Sequence, residues 1–441
     1  MRKEPNENRF WHYVLPSMLT MVLSGFYAIV DGFFVGQATG DIGLGAINIA
    51  WPIAALLQAA GIGVGVGGSV LMSLFSGAED AKKTAAARGN TILTLTLFSA
   101  LLMGSLFLSY PVILRAFGAQ GELLSAAESY IRMVLFGTFF QVFGCGLTPI
   151  LKNSRRAVLA MVIMISGLIT NIVLDALLVM AFGWGISGAG AATVAAQGVV
   201  ALASLIALCT DRQLPFRLSD FRPNFRLMLR TLKIGLSPFG VAMAPSIVII
   251  FANWQCIRYG GDTAVAAYSV LSYVSATFLY LLQGIGDGAQ PIISFLYGAA
   301  RFEEMERVRR RMFRLALALG CAFLLISLPT TGFFTELFGV SAEAAEMART
   351  GLILTAFAYP FAGIVRSAIS YFYAVDNTKM STFFVYADPL LFTPLFLVIL
   401  PLIFDTNGIW TVLAAVQFTL CALILLALFR MKKAKKDEKG T

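Results

Sequence analysis

Histidine occurs once in this chain, at position 12, and the five cysteines include no C-x-x-C pair. Counting alone therefore excludes a histidine metal cluster or a histidine-based catalytic triad. Cys145, Cys209, Cys256, Cys321 and Cys421 are scattered, mostly through apolar runs. They read as small helix-packing residues rather than disulfide partners or metal ligands. Charge is also scarce, at 13% of residues. No polar connection is long enough to form a soluble domain, so a nucleotide-binding domain is missing and ATP is not the energy source. Gly61 to Gly68 is no phosphate loop, because no Lys-Ser/Thr follows and the segment lies in an apolar run.

What the chain has is hydrophobic residues, 58% of 441. Runs of 20 or more mainly apolar residues mark membrane-spanning helices. Twelve are expected, near 10–35, 44–76, 90–115, 123–151, 157–183, 187–209, 231–257, 264–297, 312–334, 343–374, 380–404 and 408–430. The fold class is an all-α integral membrane protein.

The net charge of +9 suggests nucleic acid only until the basic residues are located. Most of the 33 lysines and arginines fall at the N-terminus, in 77–89, 152–156, 210–233, 298–314 and 375–379, and in the tail from Arg430. These are every second connection. By the positive-inside rule they face the cytoplasm, which places both termini there and makes the number of spans even. A plasma-membrane protein with lipid, not nucleic acid, as its surroundings is expected, and a monomer. The first apolar run is expected to belong to the mature protein, being too long for a removed signal peptide and followed by no A-x-A cleavage site.

The basic connection between Asp211 and Lys233 contains Pro215 and Pro223 and falls midway along the chain. The expected units are an N-terminal six-helix lobe (1–210), a cytoplasmic linker (211–230), a C-terminal six-helix lobe (231–430) and a basic tail (431–441). A shift of 221 residues supports this, aligning Leu15 with Leu236, Gly40-Asp41 with Gly261-Asp262, Gly63, Gly65 and Gly67 with Gly284, Gly286 and Gly288, Ser73 with Ser294, and Gly77-Ala78 with Gly298-Ala299. Six spans per half give both halves one orientation, related by a pseudo-twofold axis along the membrane normal. This is parallel-repeat transporter architecture.

Acids inside such helices are functional candidates by default, since burying a charge at the centre of a membrane helix costs roughly 2.5 to 3.5 kcal/mol on insertion scales. Asp31, Asp175 and Thr193 each lie six to nine residues from an expected outer loop, roughly 9 to 14 Å deep. Tyr27 and Asp31 are four residues apart, as are Asn171 and Asp175, so each pair shares one helix face. The set is all oxygen, suited to a proton relay or a small hard cation such as sodium. Helix-packing hydrogen bonds are the plainer reading, strongest for Thr193 and Tyr27. Against it, the repeat mates of Asp31 and Asp175 are Ala252 and Phe396. A general scaffold need would be expected in both halves.

Pro16, the run Val30-Asp31-Gly32-Phe33-Phe34-Val35-Gly36, Asn171-x-x-x-Asp175, Gly183-Trp184-Gly185-Ile186-Ser187-Gly188-Ala189 with Thr193-Val-Ala-Ala-Gln197, and Gly286-Asp-Gly-Ala-Gln290-Pro291 resemble the multidrug and toxin extrusion (MATE) family of antiporters. The resemblance spans essentially the whole chain. It implies two six-helix lobes around a central cavity, with lipophilic, often cationic compounds exported against inward flow of protons or sodium, and so a role in drug resistance. It also implies a cation site at the residues matching Asp31, Asn171, Asp175 and Thr193, with Tyr27 nearby, and a helix bend at the one matching Pro16. No cofactor is implied beyond the coupling ion, H+ or Na+, and no metal beyond sodium at those four residues. The seventh-helix glutamate of another branch is missing, since 241–255 holds no acid. This favours coupling through the first lobe.

The second half carries its own intramembrane charges, Asp287, Arg366 and Asp388, each some eight to ten residues from the cytoplasmic end of its helix. An ion pair of Arg366 with one or both acids is expected to hold the lobe together; the sharper reading is contact with a cationic substrate. Two alternatives compete with antiport. A lipid-linked oligosaccharide flippase shares the span number but usually needs several cavity arginines. Gly284-x-Gly286-Asp287 spells the G-x-G-D of intramembrane aspartyl proteases, but that reading leaves the repeat and twelve spans unexplained. A transporter, not an enzyme, is expected.

Overall fold

The computed structural model of the chain describes residues 4–338 and 340–440, and the side chains at 24–33, 40–41, 44, 337 and 432–440 lie outside the described residues. Helices α1 (Phe10–Gly77), α2 (Ala81–Ala116), α3 (Gly121–Phe136), α4 (Thr138–Asn153), α5 (Ala157–Leu174) and α6 (Gly185–Cys209) form the first half. The second comprises α7 (Phe225–Gly298), α8 (Phe302–Phe338), α9 (Ala342–Ala356), α10 (Tyr359–Ala374), α11 (Thr378–Ala387), α12 (Thr393–Ile399) and α13 (Pro401–Gly440).

Helix length has to be converted into spans. At 1.5 Å per residue the 68 residues of α1 reach about 100 Å, three times the ~30 Å hydrocarbon thickness. It therefore doubles back, and its second span runs over Gly45–Gly77. The 74 residues of α7 are broken at Gly261, whose φ of 60° and ψ of −154° leave the helical region. Helices α3 and α4 are bent by 59° and make one span together, as do α9 and α10, bent by 52°. The sequence pattern anticipated each of these two as an unbroken helix. With these pairs joined and α1 and α7 each counted twice, twelve spans result.

The two halves repeat in detail. Left-handed residues end helices at Glu79 (φ 59°) and Ala300 (φ 56°), and again at Arg155 (φ 62°) and Asp376 (φ 60°). Both pairs are 221 residues apart. A left-handed residue stops a helix by turning the chain so that the next N–H reaches back to one of the last carbonyls, as Asp80 N–H does to Phe75 and Arg301 N–H to Leu296, a position usually given to glycine. The bend near Gly137 likewise returns near Ala358.

Glycines let the two lobes meet backbone to backbone. A Cβ on Gly77 would overlap the carbonyl of Phe295, and one on Gly298 the carbonyl of Leu74. Gly67 presses on Thr231 and Gly235, while its mate Gly288 presses on Tyr13 and Val14. All four approaches lie toward the arginine-rich connections, so the lobes are closed together on that side.

The connection between the halves is strapped to the first lobe. Arg88, 1% exposed, donates to the carbonyls of Leu214 and Pro215 (3.0 Å for the latter), lies 3.6 Å from Asp220 and covers the Phe216 ring at 3.8 Å. Asn90 donates to the Arg222 carbonyl (3.1 Å) and accepts from the Asn224 N–H (2.7 Å). Asn224 then caps α7 by accepting from Leu227 N–H at 3.1 Å.

Candidate functional site

Three of the residues singled out in the first half, Asn171, Asp175 and Thr193, lie on adjoining elements. Asn171 lies in the last turn of α5 and is fully buried, as is Asp175. Asp175 opens a seven-residue π-helical turn, Asp175–Ala181. An extra residue per turn widens the helix and redirects side chains, which is why such turns gather at functional sites. The turn packs against α6 and α1, the helices that carry Thr193 and Asp31. Thr193 is 7% exposed. Asp31 and Tyr27 lie outside the described residues. Pro16 sits buried within α1, where its carbonyl accepts from the Thr20 hydroxyl at 2.8 Å.

Asn171 is the physical anomaly of this region. Neither its amide oxygen nor its nitrogen has a hydrogen-bond partner among the described residues. An unsatisfied buried polar group costs about 1–3 kcal/mol. Next to a buried carboxylate, an unused amide oxygen is the donor set a desolvated proton or hard cation needs.

The second half is built differently. Asp388 also opens a π-helical turn, Asp388–Phe392, in the corresponding span. In the 221-residue frame, however, Asp388 stands level with Gly167, two turns nearer the arginine-rich side than Asp175. Its two oxygens are both occupied, by the Thr393 hydroxyl (3.0 Å) and the Gln417 amide (2.8 Å).

Arg366 corrects the expectation of an ion pair. It comes within 4 Å of no carboxylate among the described residues and donates instead to Gln283 Oε1 at 3.2 Å. Gln283 passes the contact on, donating from Nε2 to Asp287 Oδ1 at 2.9 Å, and the Tyr373 hydroxyl donates to the same oxygen at 3.1 Å. One amide thus separates the guanidinium from the acid. The physical reason is reach: Gln283 precedes Asp287 by one helical turn and fills the space between α7 and α10 first.

One turn beyond Asp287, the lobes are joined by polar groups. Asn153 Nδ2 donates to Gln290 Oε1 at 3.1 Å, and Gln290 Nε2 donates to Asn153 Oδ1 at 3.2 Å and to Ser294 Oγ at 2.9 Å. Ser73 donates to Asn153 Oδ1 at 2.6 Å, and its repeat mate Ser294 donates to the carbonyl of Ala374, the mate of Asn153, at 2.9 Å. Beside Asn153, Lys152 lies inside α4 at 9% exposure. Sequence reasoning placed it in a polar connection, and the structure moves it into the helix. Gln283, Gln290, Asn153 and Lys152 were all missed as site residues. Amides four residues from Asp287 and Ser294 within an apolar run were the available signal.

Two six-helix lobes meeting across a polar seam, with a buried acid in the first and half-buried acids in the second, are the arrangement of a membrane transporter. Residues 16–177 and 239–397 match the MatE family. The chain belongs to the MatE family. Among curated relatives, it is 21% identical over 425 residues to the multidrug export protein MepA of Staphylococcus saprophyticus, covering 93% of this chain and 91% of that protein. To MepA of Staphylococcus aureus it is 22% identical over 437 residues, with 96% and 93% covered.

Solved structures agree on the fold. A multidrug resistance MATE family transporter of the MOP superfamily in its outward-facing conformation superposes with a TM-score of 0.92 at 23% identity, over 99% of this chain and 98% of that one. A MATE in complex with MaL6 gives 0.91 at 22%, over the same shares. A MOP superfamily transporter from Pyrococcus furiosus, whose binding pocket of reverse polarity suggests a different function, gives 0.90 at 22%, over 98% and 96%.

Proposed function

We propose that the chain is a secondary active multidrug exporter, moving lipophilic and often cationic compounds outward by alternating access while protons or sodium ions flow in. The observation that carries this reading is Asn171, buried one turn from the buried Asp175 with an amide that has no partner among the described residues. The coupling cation enters from outside and is held by Asp175, Asn171, Thr193 and Asp31, with Tyr27 beside them. A cation can drive the cycle only through its different affinity for the two states. A carboxylate sealed from water in one state and wet in the other supplies that difference.

The two lobes, 1–210 and 231–430, swing about the 211–230 linker in the plasma membrane, with both termini cytoplasmic and the protein acting as a monomer. The arginine-rich side is then the cytoplasmic one, and the closed seam corresponds to a state shut to the cytoplasm. Asp287 and Asp388 are engaged by separate partners rather than by each other, which supports transport over proteolysis.

The test is ethidium efflux from proteoliposomes under a proton gradient alone and a sodium gradient alone. One gradient is expected to drive it, and Asp175→Asn or Asp31→Asn to abolish it with the protein still folded. Efflux under neither gradient would overturn the reading and bring a lipid-linked oligosaccharide flippase forward. Normal gradient-driven efflux by Asp175→Asn would remove the ion-site assignment.

A further inference from the structure

The connection between the halves carries two acids, Asp211 and Asp220, and both are buried against the first lobe. Asp211 lies 3.3 Å from Arg156, and Asp220 lies 3.6 Å from Arg88. The arginines of the same connection turn the other way. Arg212, Arg217, Arg222 and Arg226 are exposed, and no described residue pairs with any of their guanidiniums. Alternation explains the split, because Leu214, Phe216, Asp220 and Phe221 are turned onto the lobe and Pro215, Arg217, Leu218, Ser219 and Arg222 are left outside. A segment that holds acids as well as arginines therefore presents only cations on its outer face.

Among these cations stand two bare apolar side chains. Leu218, which opens a 3-10 turn (Leu218–Phe221), is 92% exposed, and Phe225, the first residue of α7, is 78% exposed. Leu229 and Leu236 continue Phe225 at helical spacing, as an exposed stripe that enters the apolar span of α7. The depth of the turn follows from its seat on α2, where a Cβ on Gly89 would overlap the Asp220 carbonyl. Eight residues further along α2, about 12 Å, Leu97 is exposed on the apolar span. The turn thus lies where lipid headgroups meet the hydrocarbon.

We infer that the connection between the lobes is a docking surface for anionic phospholipid, with Arg212, Arg217, Arg222 and Arg226 on the headgroup phosphates and Leu218 and Phe225 among the upper acyl carbons. The planar guanidinium fork matches phosphate oxygens in pairs. A basic residue close to an anionic membrane surface contributes about 1 kcal/mol, about fivefold in affinity. Lipid is the partner rather than a free anion, because a soluble phosphate has no use for Leu218 or for a stripe that continues into the bilayer. The Arg88 and Asn90 contacts hold the segment in place beforehand, so little order has to be created on binding. The covalent link between the lobes is thereby fastened to the first lobe on its inner face and to the membrane on its outer one. This holds whatever the chain transports.

The test places an environment-sensitive fluorophore on Leu218→Cys in the full-length protein lacking its five free cysteines, reconstituted into phosphatidylcholine vesicles with or without phosphatidylglycerol. With phosphatidylglycerol the emission should move to shorter wavelength and quenching by iodide should fall. Potassium chloride at about 1 M, which screens charges beyond about 3 Å, should reverse both. Arg212→Gln, Arg217→Gln, Arg222→Gln and Arg226→Gln combined should abolish the response and leave the unfolding midpoint in detergent unchanged, since none of the four has a described partner. A segment held only by its contacts with the first lobe would give one emission in all vesicles. That result overturns the inference, and it decides the matter even if the quadruple variant does not fold. A folded quadruple variant that still responds fully to phosphatidylglycerol overturns it too. The same shift produced in pure phosphatidylcholine by added inorganic phosphate would mark a free-anion site and remove the lipid assignment.

Discussion

Asn153 and Gln290 exchange hydrogen bonds across the two lobes, at 3.1 and 3.2 Å, with both side chains buried. Ser73 and Ser294 brace the pair from repeat-related positions. A typical hydrogen bond contributes about 0.5–1.5 kcal/mol net, so the exchange is worth about 1–3 kcal/mol. That is enough to bias a two-state equilibrium up to about a hundredfold and small enough to be broken in every transport cycle.

Gln290→Leu should therefore open the seam. In a background lacking the five free cysteines, a cysteine at Leu74, on the seam opposite Gly298, reports access from the cytoplasm. Labelling by a membrane-impermeant thiol reagent should rise severalfold with Gln290→Leu. Equal labelling with and without that change would show that the amide pair holds nothing shut.

Asn171→Leu separates a cation ligand from a packing residue. Removing an amide that has no described partner relieves about 1–3 kcal/mol of unsatisfied burial, so the unfolding midpoint should hold or rise. Gradient-driven efflux should nevertheless fall sharply. A lower midpoint with intact efflux would mark Asn171 as structural.

Gly77→Ala should block closure, since the added methyl meets the Phe295 backbone of the other lobe, which cannot rotate away. Gly104→Ala is the control. Nothing lies within 4 Å of a Cβ there, and alanine is favoured over glycine in a helix by about 1 kcal/mol. Efflux should be lost in the first and kept in the second; equal activity would mean the seam has slack.

Arg88→Ala should release the connection between the halves. It leaves the Leu214 and Pro215 carbonyls and the Asp220 carboxylate without their donor and uncovers the Phe216 ring. A loss of about 3 kcal/mol is expected, the order found when a buried charged partner is removed. Faster trypsin cleavage at Arg212 or Arg217 and a lower unfolding midpoint would register it. Lysine should rescue little, because one ammonium cannot reproduce the planar fork.

Twelve spans, the repeat and its 221-residue period were legible in the chain because each rests on a one-dimensional quantity. Span length follows from bilayer thickness, and the repeat from glycines that only close backbone contact requires. Asn171 and Asp175 stood out for the same reason, as polar residues where polarity is expensive.

Partners across helices were not legible. Arg366 was expected to meet an acid, and whether it meets Asp287 or Gln283 depends on how α10 is rotated against α7, which periodicity does not record. Lys152 looked like a topology marker because its neighbours Arg155 and Arg156 are; where α4 stops decides that it is buried.

By itself, then, the sequence determined a two-lobe membrane protein with polar residues at particular depths, since transfer free energy acts residue by residue along a helix. Only the tertiary structure decided which of them meet, because hydrogen bonds are satisfied over about 3 Å between segments that are distant in the chain. The seam at Asn153 and Gln290 exists only once the two lobes are laid against each other.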